Sequence, residues 1–341
     1  MVTKSIKLGG TASDVVVARV SHGLMTMTIH DAVPDEICFE AIKAGIDALP
    51  PGVKAFLNTA DFYGSAWSTG NLEMLSRFFA KYPDYVDRVF VSVKGGMVAA
   101  TRSPDGSYEY LKQSVERSIN ALGPLKKIDL FQPARVDVKV GIEKIMETLV
   151  SLQKEGKFDH IGLSECNANT LKKAHSIYPV SVVEIEISPF ECGEQQEMII
   201  AAATELNITI AAYSPLGHGF LTGQFKKPED IQAGDFRSQM TRFKDEHFRN
   251  NVLLVNALED IAQKKGVTLA QLCIAWVATT GPTVIPLPGS SKASRTLENL
   301  EAGEIFLTED ELAAIDEARR KYKITGDRYW GASDKEAHLW N

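Results

Sequence analysis

Tyr63 closes the run KAFLNTADFY, and Lys94 closes a second, apolar run, VFVSVK, about thirty residues later. A phenol is a weak acid with a pKa of about 10, and a nearby ammonium group lowers it. The pair reads as a proton donor with a cation beside it, suited to an oxygen on which negative charge is growing. Asn58 stands five residues before the tyrosine, in the same segment. Its amide can hydrogen-bond Lys94 but cannot neutralise it. That predicts a lysine pKa below that of a carboxylate-paired one, and a stronger pull on Tyr63 while the lysine is protonated.

Short β-branched runs alternate with longer amphipathic ones along the chain. The strand candidates are Val15–Val20, Lys54–Asn58, Arg88–Lys94, Ile128–Gln132, His160–Ser164, Val180–Ile187, Ile208–Tyr213 and Pro282–Pro286. Several are nearly all apolar, as parallel strands buried on both faces are. Helical patterns cover Pro34–Ala48, Asn71–Lys81, Ser107–Leu122, Gly141–Lys154, Asn169–His175, Gln195–Leu206, Asn251–Lys265, Ser291–Leu300 and Glu309–Tyr322. Eight β units with helices between them, and no linker or low-complexity stretch, predict a closed (β/α)8 TIM barrel spanning residues 1–341 as one domain. An open doubly wound sheet would carry a GxGxxG turn after its first strand, and the segment there reads RVSHGLMT. The stretches 214–249 and 324–341 are candidate loops over the barrel mouth.

Composition narrows the partners. A net charge of −7, with no basic stripe, argues against nucleic acid. The first residues lack the apolar core of a signal peptide, and no apolar run is long enough to span a bilayer. Cys38, Cys166, Cys192 and Cys273 follow no disulfide or zinc spacing, and the histidines show no metal motif, so a cytoplasmic protein without a metal is expected. Oligomeric state is not legible.

Five segments in order, NTADFYG, VSVKGG, HIGLSE, AAYSPLGHGFLTG and VIPLPGSSKASRTLENL, make the chain resemble the aldo-keto reductases over nearly its whole length. VKGG, DLFQPARVD and IPLPGSSKASRT resemble the fungal pyridoxal reductase branch in particular. The resemblance implies NADPH-dependent reduction of an aldehyde, pyridoxal to pyridoxine, with Tyr63 and Lys94 in the family's tyrosine and lysine positions. Two family positions differ: Asn58 replaces an aspartate and Ala134 a histidine. Asp61, Arg135 and Asp137 are nearby substitutes, and Asp61, Met25, Arg135 and Trp330 are expected around the substrate.

For the cofactor, the resemblance places Ser164 and Glu184 at the carboxamide, although Glu184 replaces a glutamine and Glu165 an asparagine. It places Tyr213 against the nicotinamide, and Ser214, Leu216 and Gly219 over the pyrophosphate. Gly289, Ser290, Lys292 and Arg295 fall at the phosphate end, with Glu298 and Asn299 at the adenine. Glu184 and Glu186 share one strand face, which suits a polar barrel layer as well as catalysis. Two other readings stay open: a broad aryl or aliphatic aldehyde reductase, and a nucleotide-binding regulatory subunit with little turnover.

Overall fold

The computed structural model describes residues 2–29, 33–232, 234–329 and 332–341. Strands β1 (Ser5–Lys7) and β2 (Val16–Ala18) pair antiparallel, and β3 (His22–Gly23) follows at once. Next come β4 (Ala55–Ala60) and β5 (Val89–Gly95), then a small hairpin of β6 (Met97–Val98) and β7 (Ser103–Pro104). The remaining strands are β8 (Ile128–Pro133), β9 (Phe158–Ser164), β10 (Val182–Glu186), β11 (Thr209–Tyr213) and β12 (Val284–Leu287). The main sheet runs β3, β4, β5, β8, β9, β10, β11, β12, with parallel neighbours throughout. Ser21 N–H donates to the Pro286 carbonyl and Gly23 N–H to that of Pro288, both at 2.9 Å, so the sheet closes on itself. It is a TIM barrel.

Alternation along each strand sorts the side chains. In β10, Val183 and Ile185 face the helices, whereas Val182, Glu184 and Glu186 face the axis. The lowest inward layer is apolar, with Phe56, Phe90, Leu130, Val182, Ala211 and Ile285. The hairpin β1–β2 brings Leu8 and Val17 against that layer and plugs the N-terminal end. Above it the axis turns polar, with Asn58, Ser92, Gln132 and Glu184, all buried.

Helices α1 (Asp35–Asp47), α2 (Gly70–Lys81), α3 (Tyr108–Leu122), α4 (Ile142–Lys154), α5 (Ala168–Ile177) and α6 (Glu194–Glu205) follow the expected pattern. Two expectations need correction. The run Val15–Val20 is not the first barrel strand: Val16–Ala18 belongs to the plug, and the barrel strand is His22–Gly23. A plug strand buried against the barrel interior has the same apolar signature as a wall strand. Helix α7 (Asp245–Lys265) begins six residues before the expected Asn251, which shortens the loop after β11.

Helix α8 (Leu269–Thr279) has no predicted counterpart. It is buried on almost every face, so it lacks the polar stripe that a periodicity reading needs. Helices α9 (Ala293–Ala302) and α10 (Glu309–Lys321) close the ring. Among the described residues no helix is long and apolar enough to cross a membrane.

Candidate active site

Asn58, Lys94 and Glu184 meet at the C-terminal end of the barrel from β4, β5 and β10. The Lys94 ammonium lies 2.8 Å from Oε1 and 3.0 Å from Oε2 of Glu184, and donates to Asn58 Oδ1 at 2.6 Å. Asn58 Nδ2 and Gln132 Nε2 each donate to Glu184 Oε2 at 2.7 Å. Lys94 also lies over Tyr63, with Nζ 5.1 Å from the ring centroid, and the two side chains interact electrostatically.

This overturns the expectation of a bare cation. Burial disfavours the Lys94 charge, but Glu184 and Tyr63 outweigh it and the pKa ends above the ordinary lysine value. The expected lowering of the Tyr63 pKa is also corrected. Burial pushes the phenol up, Lys94 pulls it down and Glu184 opposes Lys94, leaving it above its ordinary value. Tyr63 therefore holds its proton at neutral pH, as a proton donor must. Its loop is fixed by buried Asn71 at the start of α2. Asn71 Nδ2 donates to the Leu24 carbonyl (2.8 Å) and to Thr28 Oγ1 (2.7 Å), and Thr28 Oγ1 donates to the Tyr63 carbonyl.

The substrate-side candidates separate. Asp61 is turned away: its Oδ2 accepts from Ser114 Oγ at 2.6 Å and pairs with Arg117 at 2.5 Å, both on α3. Asp61 lies three residues after inward-facing Asn58, so alternation along the strand exit turns its carboxylate to the helix layer rather than to the lysine. Asp137 accepts from the Gly106 and Lys139 N–H groups and so fixes its own loop. Arg135 stays near the site. Its NH1 donates to the Ala134 carbonyl at 2.6 Å and its Nε to that of Ala337 at 3.3 Å, and its charge acts on Tyr63 and Tyr213. Ala134 is buried beside it. Met25 is half-buried in the turn after β3. Trp330 lies outside the described residues.

At the mouth, Tyr213 Oη lies 2.6 Å from Tyr329 Oη and accepts from Arg328 NH2 at 3.2 Å. Arg328 is itself 5% exposed and clamped between two carboxylates. Its Nε reaches Glu186 Oε2 at 2.9 Å, and NH1 and NH2 reach Glu165 at 3.3 and 3.2 Å. Glu186 and Glu184 thus face separate cations. Arg328 holds the Glu165 carboxyl below its ordinary pKa despite complete burial. No motif pointed to Arg328. The only hint was two carboxylates on one buried strand face, which require compensating charge.

Ser164 is buried at the end of β9. Ser214 (φ +49°) opens the loop after β11, Leu216 precedes the turn Gly217–Thr222, and Gly219 has φ +91°. Gly289 pairs with Gly23 at the barrel seam. Ser290 Oγ lies 2.6 Å from Thr296 Oγ1, and its carbonyl meets His22 Nε2 at 2.8 Å, so only its N–H is left for an anion. Lys292 and Arg295 are exposed at the start of α9, and among the described residues neither forms an ion pair. Glu298 accepts from Thr268 Oγ1 at 2.8 Å, while Asn299 is buried. No cluster of His, Cys, Asp or Glu able to hold a metal occurs among the described residues.

A family model described as "Aldo/keto reductase family" matches residues 19–320. The chain belongs to the aldo/keto reductase family. It is 37% identical over 319 residues to the probable pyridoxal reductase 2 of Schizosaccharomyces pombe, covering 92% of this chain and 95% of that protein. It is 36% identical over 330 residues to the putative pyridoxal reductase of Saccharomyces cerevisiae, covering 90% and 94%. The Schizosaccharomyces pombe aldo-keto reductase yakc [NADP(+)] is 36% identical over 280 residues, covering 80% of this chain and 81% of its own. In fold, the chain is similar to the glycerol dehydrogenase of Gluconobacter oxydans, with a TM-score of 0.80 at 24% identity, covering 94% and 97%. As an aldo/keto reductase the protein is an oxidoreductase, and its site differs from the expected one in where the lysine finds its carboxylate.

Proposed function

We propose that this aldo/keto reductase converts an aldehyde to an alcohol with NADPH, and that the aldehyde is pyridoxal. The observation that carries the reading is the Tyr63–Lys94 pair, with the ammonium 5.1 Å from the ring and buried Lys94 backed by Glu184. The nucleotide, when bound, supplies hydride to the carbonyl carbon. Tyr63 gives its proton to the carbonyl oxygen as charge builds there, and Lys94 stabilises the phenolate left behind. The charged lysine also speaks against a regulatory subunit with little turnover, because the proton donor and its cation are both in place.

The residues present fit NADPH. Lys292 and Arg295, without carboxylate partners among the described residues, flank the N-terminus of a ten-residue helix, where an adenosine 2′-phosphate would find cations and a favourable dipole. Ser164 and the Tyr213 ring would hold the nicotinamide end. Pyridoxal is supported by the relatives named as pyridoxal reductases and by Arg135, which would face the ionisable hydroxyl beside that aldehyde. Steady-state rates with pyridoxal, NADPH and NADH test the reading. NADPH should be preferred, and Arg295→Ala should reduce that preference by about tenfold, the size of one lost hydrogen bond between charged groups. Turnover of simple aryl aldehydes but not pyridoxal would leave the broad reductase, and nucleotide binding without turnover would leave the regulatory subunit.

A further inference from the structure

Lys94 is enclosed by two short side chains of different chemistry. Asn58 Oδ1 accepts from it at 2.6 Å, and Glu184 takes it with both oxygens at 2.8 and 3.0 Å. The two also bond each other, with Asn58 Nδ2 donating to Glu184 Oε2 at 2.7 Å. That last bond requires a donor at position 58. An aspartate there would set two carboxylates against each other, because ionised carboxylates only accept. Conversely, a glutamine at 184 would present an N–H that an aspartate at 58 could accept. The cage therefore needs one amide and one carboxylate, and its geometry accepts the charge on either side of the lysine.

We propose that Glu184 is a positioning residue that keeps Lys94 charged and aimed at Tyr63, and that Asn58 and Glu184 form an amide–carboxylate pair whose members can be exchanged. Glu184 is then not a ligand of the nicotinamide carboxamide: its Oε2 already accepts from Lys94, Asn58 and Gln132, and its Oε1 from Lys94. The titratable groups facing Lys94 are Tyr63 from the loop after β4 and Glu184 from β10. Asn58 adds a neutral amide, and Arg135 acts on Tyr63 from the end of β8. Without Glu184 the buried lysine has no carboxylate, so it tends to shed its proton.

The kinetic arm rests on the reductase reading, and the stability arm does not. The variants are Glu184→Gln, Asn58→Asp and the double exchange, compared with the native enzyme by pH-dependent melting, NADPH fluorescence titration and steady-state reduction of pyridoxal. Glu184→Gln should melt at a temperature that rises between pH 6 and pH 9, since its unfolded chain binds a proton the folded lysine lacks. The native protein and the double variant should be flat by comparison. Glu184→Gln should lose at least about tenfold in kcat with NADPH affinity held within about threefold, and the double exchange should recover most of the loss. Should Glu184→Gln fail to fold, a folded double variant with the native melting profile supports the proposal equally. A Glu184→Gln protein with weakened NADPH binding and unchanged kcat overturns it. So does a folded double variant whose melting profile and kcat both stay at the Glu184→Gln level. If the native enzyme reduces no aldehyde, the reductase reading fails, and the melting profiles still decide the exchange.

Discussion

Tyr63 holds its proton because burial opposes the phenolate, and in the proposed reaction Lys94 would stabilise the phenolate left when a carbonyl takes the proton. Tyr63→Phe removes the hydroxyl beside Lys94 while leaving the ring. Its kcat should fall by about 10²–10⁴-fold, the usual worth of a placed acid, with NADPH affinity little changed in a fluorescence titration. At this scale the sequence was informative about identity and less so about pairing. Tyr63 and Lys94 were legible because each ends an apolar run. Glu184 was legible as an inward carboxylate, but its partner lies ninety residues away on a non-adjacent strand, and no local pattern carries that contact. Asp61 shows the opposite failure: it neighbours the tyrosine in sequence and faces α3 in space.

Arg328 ties the C-terminal tail to β9, β10 and β11 through Glu165, Glu186 and Tyr213. Trp340 N–H, donating to the Glu165 carbonyl at 2.8 Å, fixes the far end of the tail. Removing the guanidinium leaves two buried carboxylates without a cation. Arg328→Met should therefore cost about 3–5 kcal/mol in chemical denaturation, the loss typical of breaking a buried ion pair from one side. The turn Gly217–Thr222 carries a pH response of its own. Burial and the charges of Arg242, Arg328 and Arg237 bring the His218 pKa down to about 4. Unfolded, this histidine binds a proton below about pH 6.5, whereas folded it does so only near pH 4, so stability rises with pH across that window. At neutral pH the imidazole is neutral in both states, and as pH falls from about 6.5 to 4 the buried site costs on the order of 3 kcal/mol, because only the unfolded chain takes up the proton freely. Between pH 6.5 and 4 the native protein should lose melting temperature more steeply than His218→Gln, which lacks the titrating group. The tail was visible in the sequence as a long stretch without strand pattern. Its anchoring was not, because a single arginine has no periodicity.

The barrel holds these pieces in place because its lower interior is packed solid. Phe56 and Phe90 stack with centroids 5.4 Å apart, and the β1–β2 hairpin seals the layer from below. Phe90→Ala would leave a cavity there and should cost about 3–5 kcal/mol, read as a lower denaturation midpoint with an unchanged slope. The alternation of strands and helices was enough to derive the barrel, since buried parallel strands and amphipathic helices have distinct periods. It misplaced the first wall strand and passed over α8, where burial on every side erases the pattern that distinguishes such elements. By itself, then, the sequence determined the fold class, the tyrosine and lysine, and the basic helix start at Lys292 and Arg295, because each is written in neighbouring residues. The tertiary structure alone decided that Glu184 is the carboxylate of Lys94, that Arg328 joins the site from the tail, and that Asp61 does not. Charge compensation in a buried interior is settled by distances across the barrel, and those exist only once the sheet has closed.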